Sequence, residues 1–276
     1  MRPILFYLPF GIPLYAYGAM LCLSVIAGRI MARRAGVAAG LDPRLMDRAC
    51  VWALAGALIG TRLLYVVTNL DQFDRIVDVF LLWKGGLVAY GGFLGGFAAT
   101  LIFCRFHRVN LWVWVDCVAP SLCVGLMLTR VGCFLAGCDY GQPWDGPWAV
   151  HFPAGSIAFQ EQALQGLLPA GATRSLAVHP TQLYESLTGF VLLVGVLMVR
   201  SRRTFDGQAF LALVPAYAVL RYAIEIFRAD LYRGYLGPFS TSQLIALITF
   251  MAALALTCVQ RSARAHALRA KPEWRV

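Results

Sequence analysis

The chain has 276 residues, 59% of them hydrophobic and 14% charged, with a mean hydropathy of +0.67. Soluble domains carry about 25% charged and roughly 45–50% apolar residues, so an ordinary soluble enzyme, a disordered chain and a disulfide-stapled secreted module are excluded. The net charge of +10 sits in short loops and a C-terminal tail with no nucleic-acid motif beside it. That is a membrane-topology signal, and no nucleic-acid partner is expected.

The N-terminal stretch MRPILFYLPFGIPLYAYG is apolar but broken by Pro3, Pro9 and Pro13. It has no small-residue cleavage site and is not read as a signal peptide. Seven apolar stretches stand out, at roughly 14–33, 49–68, 86–106, 111–134, 181–200, 208–228 and 238–260. Each approaches the ~20 residues that cross ~30 Å of hydrocarbon. All are predicted helical, because an unpaired strand cannot satisfy its backbone in lipid. The expected fold is all-α: a polytopic transmembrane helix bundle of about seven spans, residues 1–260.

Loop charge sets the expected orientation. Arg29, Arg33, Arg34, Arg44 and Arg48 crowd the first loop, Arg105, His107 and Arg108 the third, and Arg200, Arg202 and Arg203 the fifth. Arg261, Arg264, Arg269, Lys271 and Arg275 mark 261–276 as a basic tail. The alternate loops are acidic or mixed: Asp71, Asp74, Arg75, Asp78 and Lys84 in one, Asp139, Asp145, Glu161 and Arg174 in the other. The positive-inside rule then places the N-terminus outside and the C-terminus in the cytoplasm. The long loop 139–178 is rich in Gly, Pro and aromatics, and is expected to be a small extracytoplasmic cap. Ile76–Trp83 reads as a short interfacial helix.

Glycines cluster at Gly56 and Gly60, and again in KGGLVAYGGFLGG, which holds Gly85, Gly86, Gly91, Gly92, Gly95 and Gly96. Small residues four apart allow close helix packing. The second cluster is dense enough to hold backbone near a ligand as well.

Charged groups inside apolar runs carry the chemistry. Tyr217, Arg221, Glu225 and Arg228 in AYAVLRYAIEIFRAD are spaced to share one helical face. Arg130 lies deep in the fourth stretch, Arg62 near the middle of the second, and Glu185 early in the fifth. Ionisable groups at depth are costly unless paired or wet, and are functional candidates by default. Four arginines against two glutamates suggest a bound anion, and a guanidinium fork suits a phosphate oxygen pair. The alternative is ion-pair struts: Arg221 with Glu225, and Arg62 with Glu185 or Glu225. His179, before Pro180, is either a general base or phosphate donor, or a structural histidine. Tyr90, beside Gly91 and Gly92, is either packing or part of a polar site. None of the eight cysteines falls in a CxxC or zinc spacing, so no metal or organic cofactor is indicated.

At these residues the sequence resembles the bacterial phosphatidylglycerol–prolipoprotein diacylglyceryl transferases over most of its length. AYGAM matches the family's first span at Tyr17 and Gly18, and GTRLLYV its Gly-Ala-Arg segment at Arg62. KGGLVAYGGFLGG, HPTQLYES, YAVLRYAIEIFR and GPFSTSQ match its later motifs in order. Against the signature Gly-Arg-x-Gly-Asn-Phe-x-Asn-x-Glu-x-x-Gly, Arg130, Gly132, Phe134 and Gly141 fit. Thr129 replaces Gly, Cys133 and Ala136 replace both Asn, and Cys138 replaces Glu. Tyr90 stands where the family has a histidine.

The resemblance implies an inner-membrane enzyme that moves diacylglyceryl from phosphatidylglycerol to the lipobox cysteine of a prolipoprotein, releasing glycerol-1-phosphate. It implies that Arg130 and Arg221 hold the phosphate, and that Glu225 orients Arg221. Arg62, Arg228, Tyr217, Glu185 and Gly132 support the pocket with Gly141, and Tyr17 with the Gly91–Gly92 backbone lines the head-group end. His179 is preferred over Tyr90 as base. The departures keep two alternatives open: a non-catalytic paralogue that binds or transports an anionic lipid, and transfer to another acceptor. Cys133 and Cys138 form a disulfide, supply an acceptor thiol, or simply pack. A disulfide needs the helix to break before Cys138, which Gly137 allows.

Overall fold

The computed structural model describes residues 3–7, 9–11, 13–73, 75–81, 85–229 and 234–269. Asp74, Trp83, Lys84, Lys271 and Arg275, used above for topology, lie outside the described residues.

A short antiparallel hairpin, β1 (Ile4–Tyr7) with β2 (Pro13–Tyr15), precedes helix α1 (Ala16–Ala38). Then come α2 (Pro43–Thr68), α3 (Ala89–Phe106), α4 (Leu111–Ala136), α5 (Ile157–Leu164), α6 (Thr181–Ser201) and α7 (Gln208–Glu225). A second hairpin, β3 (Tyr235–Leu236) with β4 (Phe239–Ser240), leads into α8 (Thr241–Arg269). The long helices coincide with the predicted apolar stretches, so the chain is an all-helical polytopic protein. Among the described residues, six helices are long and apolar enough to cross a membrane: α1, α2, α3, α4, α6 and, within α8, Thr241–Ser262. The expected count was about seven. The remaining long helix, α7, falls outside this group, and its last two turns carry Arg221 and Glu225.

Three boundaries differ from expectation for local reasons. Helix α2 starts at Pro43 because Asp42 caps it, accepting from the Arg44 N–H at 2.9 Å, with Pro43 in the first turn. Arg44 and Arg48 are therefore helical, not loop. Helix α7 stops at Glu225, so Arg228 is not on its face; it forms an isolated β-bridge with Gly141. The expected interfacial helix is a single 3-10 run, Ile76–Phe80.

The chain divides into two compact units, Met1–Met31 with Val118–Val276, and Ala32–Cys117. In the second, α2 and α3 meet through glycines. A Cβ on Gly60 would overlap the Gly91 carbonyl and come within 2.9 Å of the Gly95 Cα. A Cβ on Gly92 would lie 2.8 Å from the Thr61 methyl. Both glycine clusters thus let two helix backbones touch, the packing alternative raised by their spacing.

In the first unit, α4, α6 and α7 enclose an apolar core of Ala119, Cys123, Leu192, Val196, Ala209 and Leu213, with Tyr217 packed against it. Helix α1 lies along α4. Ser121 donates to the Gly28 carbonyl at 2.8 Å, and a Cβ on Gly132 would sit 3.0 Å from that of Met20. The long loop 139–178 is folded around Tyr140, Phe152, Ala158 and Val178. Bridges pair Pro143 and Val150 with Val178. Ser156 caps α5, accepting from the Phe159 N–H at 3.3 Å, and the Tyr140 hydroxyl donates to Glu161 at 2.9 Å.

Candidate functional site

The site is built around the end of α4. Gly137 takes φ +81, and the N–H groups of Gly137 and Cys138 both donate to the Cys133 carbonyl, at 2.8 and 3.2 Å. This left-handed helix stop folds the chain back. Asp139, itself at φ +56, returns to Arg130 with an Nη1–Oδ2 distance of 2.6 Å. Asp is among the few non-glycine residues that enter this region readily.

The turn is held from the start of α6. The Thr181 hydroxyl donates to the Asp139 carbonyl at 2.7 Å, and Gln182 Nε2 to the Cys138 carbonyl at 2.6 Å. One turn further along, Glu185 is ion-paired with Arg130, Nε to Oε2 at 2.6 Å, and faces Arg221 at 3.6 Å and Arg228 at 3.4 Å. Arg221 pairs with Glu225, four residues on, at 2.6 Å, and its Nη2 donates to the Ser242 hydroxyl at 3.2 Å. Arg228 reaches the group from its bridge with Gly141, bonding Asp139 at 2.5 Å. Gly141 makes this route possible: a Cβ there would lie 2.5 Å from the His179 Cβ and 2.8 Å from the Phe227 carbonyl.

Five of the predicted residues, Arg130, Glu185, Arg221, Glu225 and Arg228, thus form one network. The charge count changes, however. Arg130, Arg221 and Arg228 face Asp139, Glu185 and Glu225, so the expected cationic excess is balanced within the cluster. Asp139 is the acid that the sequence reading placed in a loop, because its contacts depend on the Gly137 turn and not on helical spacing. It is also the loosest counter-ion: its side chain is 27% exposed, against 2% for Glu185 and Glu225. Ser242, Thr181 and Gln182 were likewise not singled out; each acts through a hydrogen bond that no local motif announces. Among the described residues, Arg130 Nη2 and Arg221 Nε have no partner.

His179 is placed differently. Its ring stacks on Trp144 at 4.3 Å and 10°, meets Phe227 at 5.2 Å, and lies 3.1 Å from the Tyr184 hydroxyl. Trp148 donates to the same hydroxyl at 2.7 Å. Burial among these rings lowers the imidazole pKa below its ordinary 6.5, so it is neutral at physiological pH. Tyr17 lies on α1 opposite Gly132.

Arg62, Tyr90, Gly91 and Gly92 belong to the second unit. Arg62 is buried, but among the described residues no carboxylate holds it. Its guanidinium donates to the carbonyls of Val79, Gly85 and Asp78 at 2.7 Å each, and of Gly86 at 3.0 Å. In place of the alternative raised above, a strut to Glu185 or Glu225, Arg62 braces the segment before α3. Lysine cannot reproduce this planar fork. Arg62→Lys is expected to speed amide exchange at Asp78–Leu81 and Gly85–Gly86 and to reduce stability by ~2–3 kcal/mol for the lost charged hydrogen bonds, seen as a lower melting temperature. Unchanged exchange there would remove the bracing role.

Asp139 also sets an acid limit. Burial pushes its carboxyl up, but Arg130 and Arg228 outweigh that and hold it at about 2, below the ordinary 3.8. A lowered pKa contributes stability above the unfolded value and loses it as the pH falls through the folded one. Wild type should therefore melt higher than Asp139→Asn at neutral pH, by the equivalent of about 2 kcal/mol. The gap should close as the pH drops from about 4 toward 2. Melting curves across that range check it, and a gap independent of pH would contradict it.

A family model described as prolipoprotein diacylglyceryl transferase matches residues 3–259. The chain belongs to this family. A phosphatidylglycerol–prolipoprotein diacylglyceryl transferase of Geobacter sulfurreducens is 34% identical over 247 residues, 87% of this chain and 88% of that protein. One of Clostridium tetani is 30% identical over 251 residues, 91% and 94% of the two chains. One of Acaryochloris marina is 30% identical over 236 residues, 84% and 81%. With its apolar helices, this diacylglyceryl transferase family member is a multi-pass membrane protein.

Proposed function

We propose that the protein transfers the diacylglyceryl group of phosphatidylglycerol to the lipobox cysteine of a prolipoprotein, at the outer face of a bacterial inner membrane. The observation that carries this reading is the convergence of Arg130, Arg221 and Arg228 on Glu185. In this reading the thiolate sulfur bonds the terminal glyceryl carbon, the carbon–oxygen bond to phosphate breaks, and glycerol-1-phosphate leaves. Charge builds on the phosphate oxygens as that bond stretches. Preorganised guanidinium donors in a site of low water content stabilise such charge strongly.

Arg130 and Arg221 each keep a nitrogen without a partner among the described residues, and these are the donors we assign to the phosphate. Glu185 and Glu225 fix the guanidinium planes. Asp139 acts as placeholder: the most exposed acid gives way to the phosphodiester, which inherits its contact with Arg130. It stands one residue beyond Cys138, where the resemblance places a glutamate, so the altered signature keeps an acid in the turn.

The thiol must lose its proton before it attacks. We assign that step to His179, neutral in its aromatic niche and oriented by the Tyr184 hydroxyl. The Tyr90 phenol, with an ordinary pKa of about 10, is the poorer base.

The test uses purified protein in phosphatidylglycerol nanodiscs with a synthetic lipobox peptide. Peptide-dependent release of glycerol phosphate, with a peptide gaining one diacylglyceryl mass, is the expected result. Release without peptide would identify a different acceptor. Lipid binding without release would identify a non-catalytic paralogue.

A further inference from the structure

We propose that Cys133 and Cys138 are a redox-active pair that closes reversibly into a disulfide and so locks Asp139 onto Arg130. The left-handed stop at Gly137 brings them together. In this motif the residue four places before the glycine and the one directly after it are joined by a backbone hydrogen bond, and their side chains meet. Here those residues are Cys133 and Cys138, joined at 3.2 Å. Their sulfurs and an Asp139 carboxylate oxygen all lie within 4.8 Å of one another, and both thiols are free.

The surroundings favour a thiol reaction over a metal ion. Both Asp139 oxygens are already held, Oδ1 by Arg228 and Oδ2 by Arg130. Arg130 Nη1 lies 3.9 Å from the Cys133 sulfur. Guanidinium charge this close repels a divalent cation. Exposure sets the order of events: Cys133 is 5% exposed, whereas Cys138 is partly open.

The oxidant is a disulfide, carried by an exchange protein or a small thiol compound. The Cys138 thiolate attacks one of its sulfurs and releases one thiol, leaving a mixed disulfide. The Cys133 thiolate then attacks the Cys138 sulfur and releases the second thiol. The pair loses two electrons and two protons, and the oxidant becomes two thiols.

The product staples the turn that presents Asp139. In the reading above, Asp139 must swing off Arg130 to admit phosphate, so the oxidised protein is the closed form. This coupling rests on that reading, whereas the disulfide itself does not.

Full-length protein in nanodiscs, reduced and then treated with oxidised glutathione, tests both. Peptide mapping after maleimide labelling should show Cys133 and Cys138 blocked together in one cross-linked species, and dithiothreitol should restore both. Cys138→Ser should leave Cys133 unmodified, and Cys133→Ser should trap glutathione on Cys138. Independent labelling of both thiols after oxidation overturns the pair. Thiols protected before oxidation and released by a chelator overturn it in favour of a metal. Peptide-dependent glycerol phosphate release should fall at least about tenfold in the oxidised form and recover on reduction. An oxidised protein as active as the reduced one overturns the lock while leaving the disulfide standing. Inactivity in both forms bears on the proposed function, and the mapping still decides the pair.

Discussion

Replacing Glu185 by Gln is expected to cost both fold and activity more than any other single change in the network. Its carboxylate is 2% exposed and is shared by Arg130 at 2.6 Å, Arg228 at 3.4 Å and Arg221 at 3.6 Å. Glutamine keeps the shape and one acceptor oxygen but removes the charge. Three guanidiniums would then face two carboxylates, one of them the loosely held Asp139. Leaving a buried charge uncompensated costs ~3–5 kcal/mol, far above the value of a surface pair. The expected result is a stability lowered by that amount, seen as a lower melting temperature, and peptide-dependent transfer reduced at least about a hundredfold. Glu185→Asp separates the two effects. It restores charge one methylene short, so stability should recover in part while misaimed guanidiniums keep transfer low. A Gln variant that melts and turns over like wild type would mean that the arginines do not depend on this acid.

The apolar stretches made most of the helices legible, because a membrane span needs length and hydropathy and little else. Where sequence reading strayed, capping and turn chemistry had overridden periodicity. Asp42 drew α2 back to Pro43, and the chain turned after Glu225 although the apolar run continued. Arg228 shows the same limit in the site itself. Its spacing placed it on the helix face with Arg221; it joins the cluster through a β-bridge to Gly141 instead. Depth in an apolar run did flag Arg62, Arg228, Glu185 and Glu225, which are buried, and Arg130 and Arg221, which are partly so. It could not say which charges meet. Arg62 turned to backbone carbonyls, and Asp139, read as loop, became the partner of two arginines. Both outcomes depend on where irregular segments fold back, which hydropathy does not encode.

Arg221→Ala is the sharpest test of the arginine cluster as a phosphate receptor. The side chain is 12% exposed, ion-paired with Glu225 at 2.6 Å and hydrogen-bonded to Ser242 at 3.2 Å, with its Nε without a partner among the described residues. Alanine removes a donor aimed at developing charge, a change that lowers turnover by ~10²–10³ when the donor acts in the transition state. Alanine also removes the nearest cation of Glu225, which is 2% exposed and otherwise 3.9 Å from Arg228 Nε, so lost stability alone could mimic lost catalysis. The double variant Arg221→Ala with Glu225→Gln removes the under-compensated charge. It should regain much of the melting temperature while glycerol phosphate release stays low. Arg221→Lys supplies the third arm, because it keeps the positive charge for Glu225 but offers a point charge in place of a planar fork. Transfer that stays at least about tenfold low in a lysine variant of near-normal stability assigns the loss to the donor geometry. If the double variant regains full transfer together with its stability, Arg221 is a strut for α7, and the phosphate must be held elsewhere.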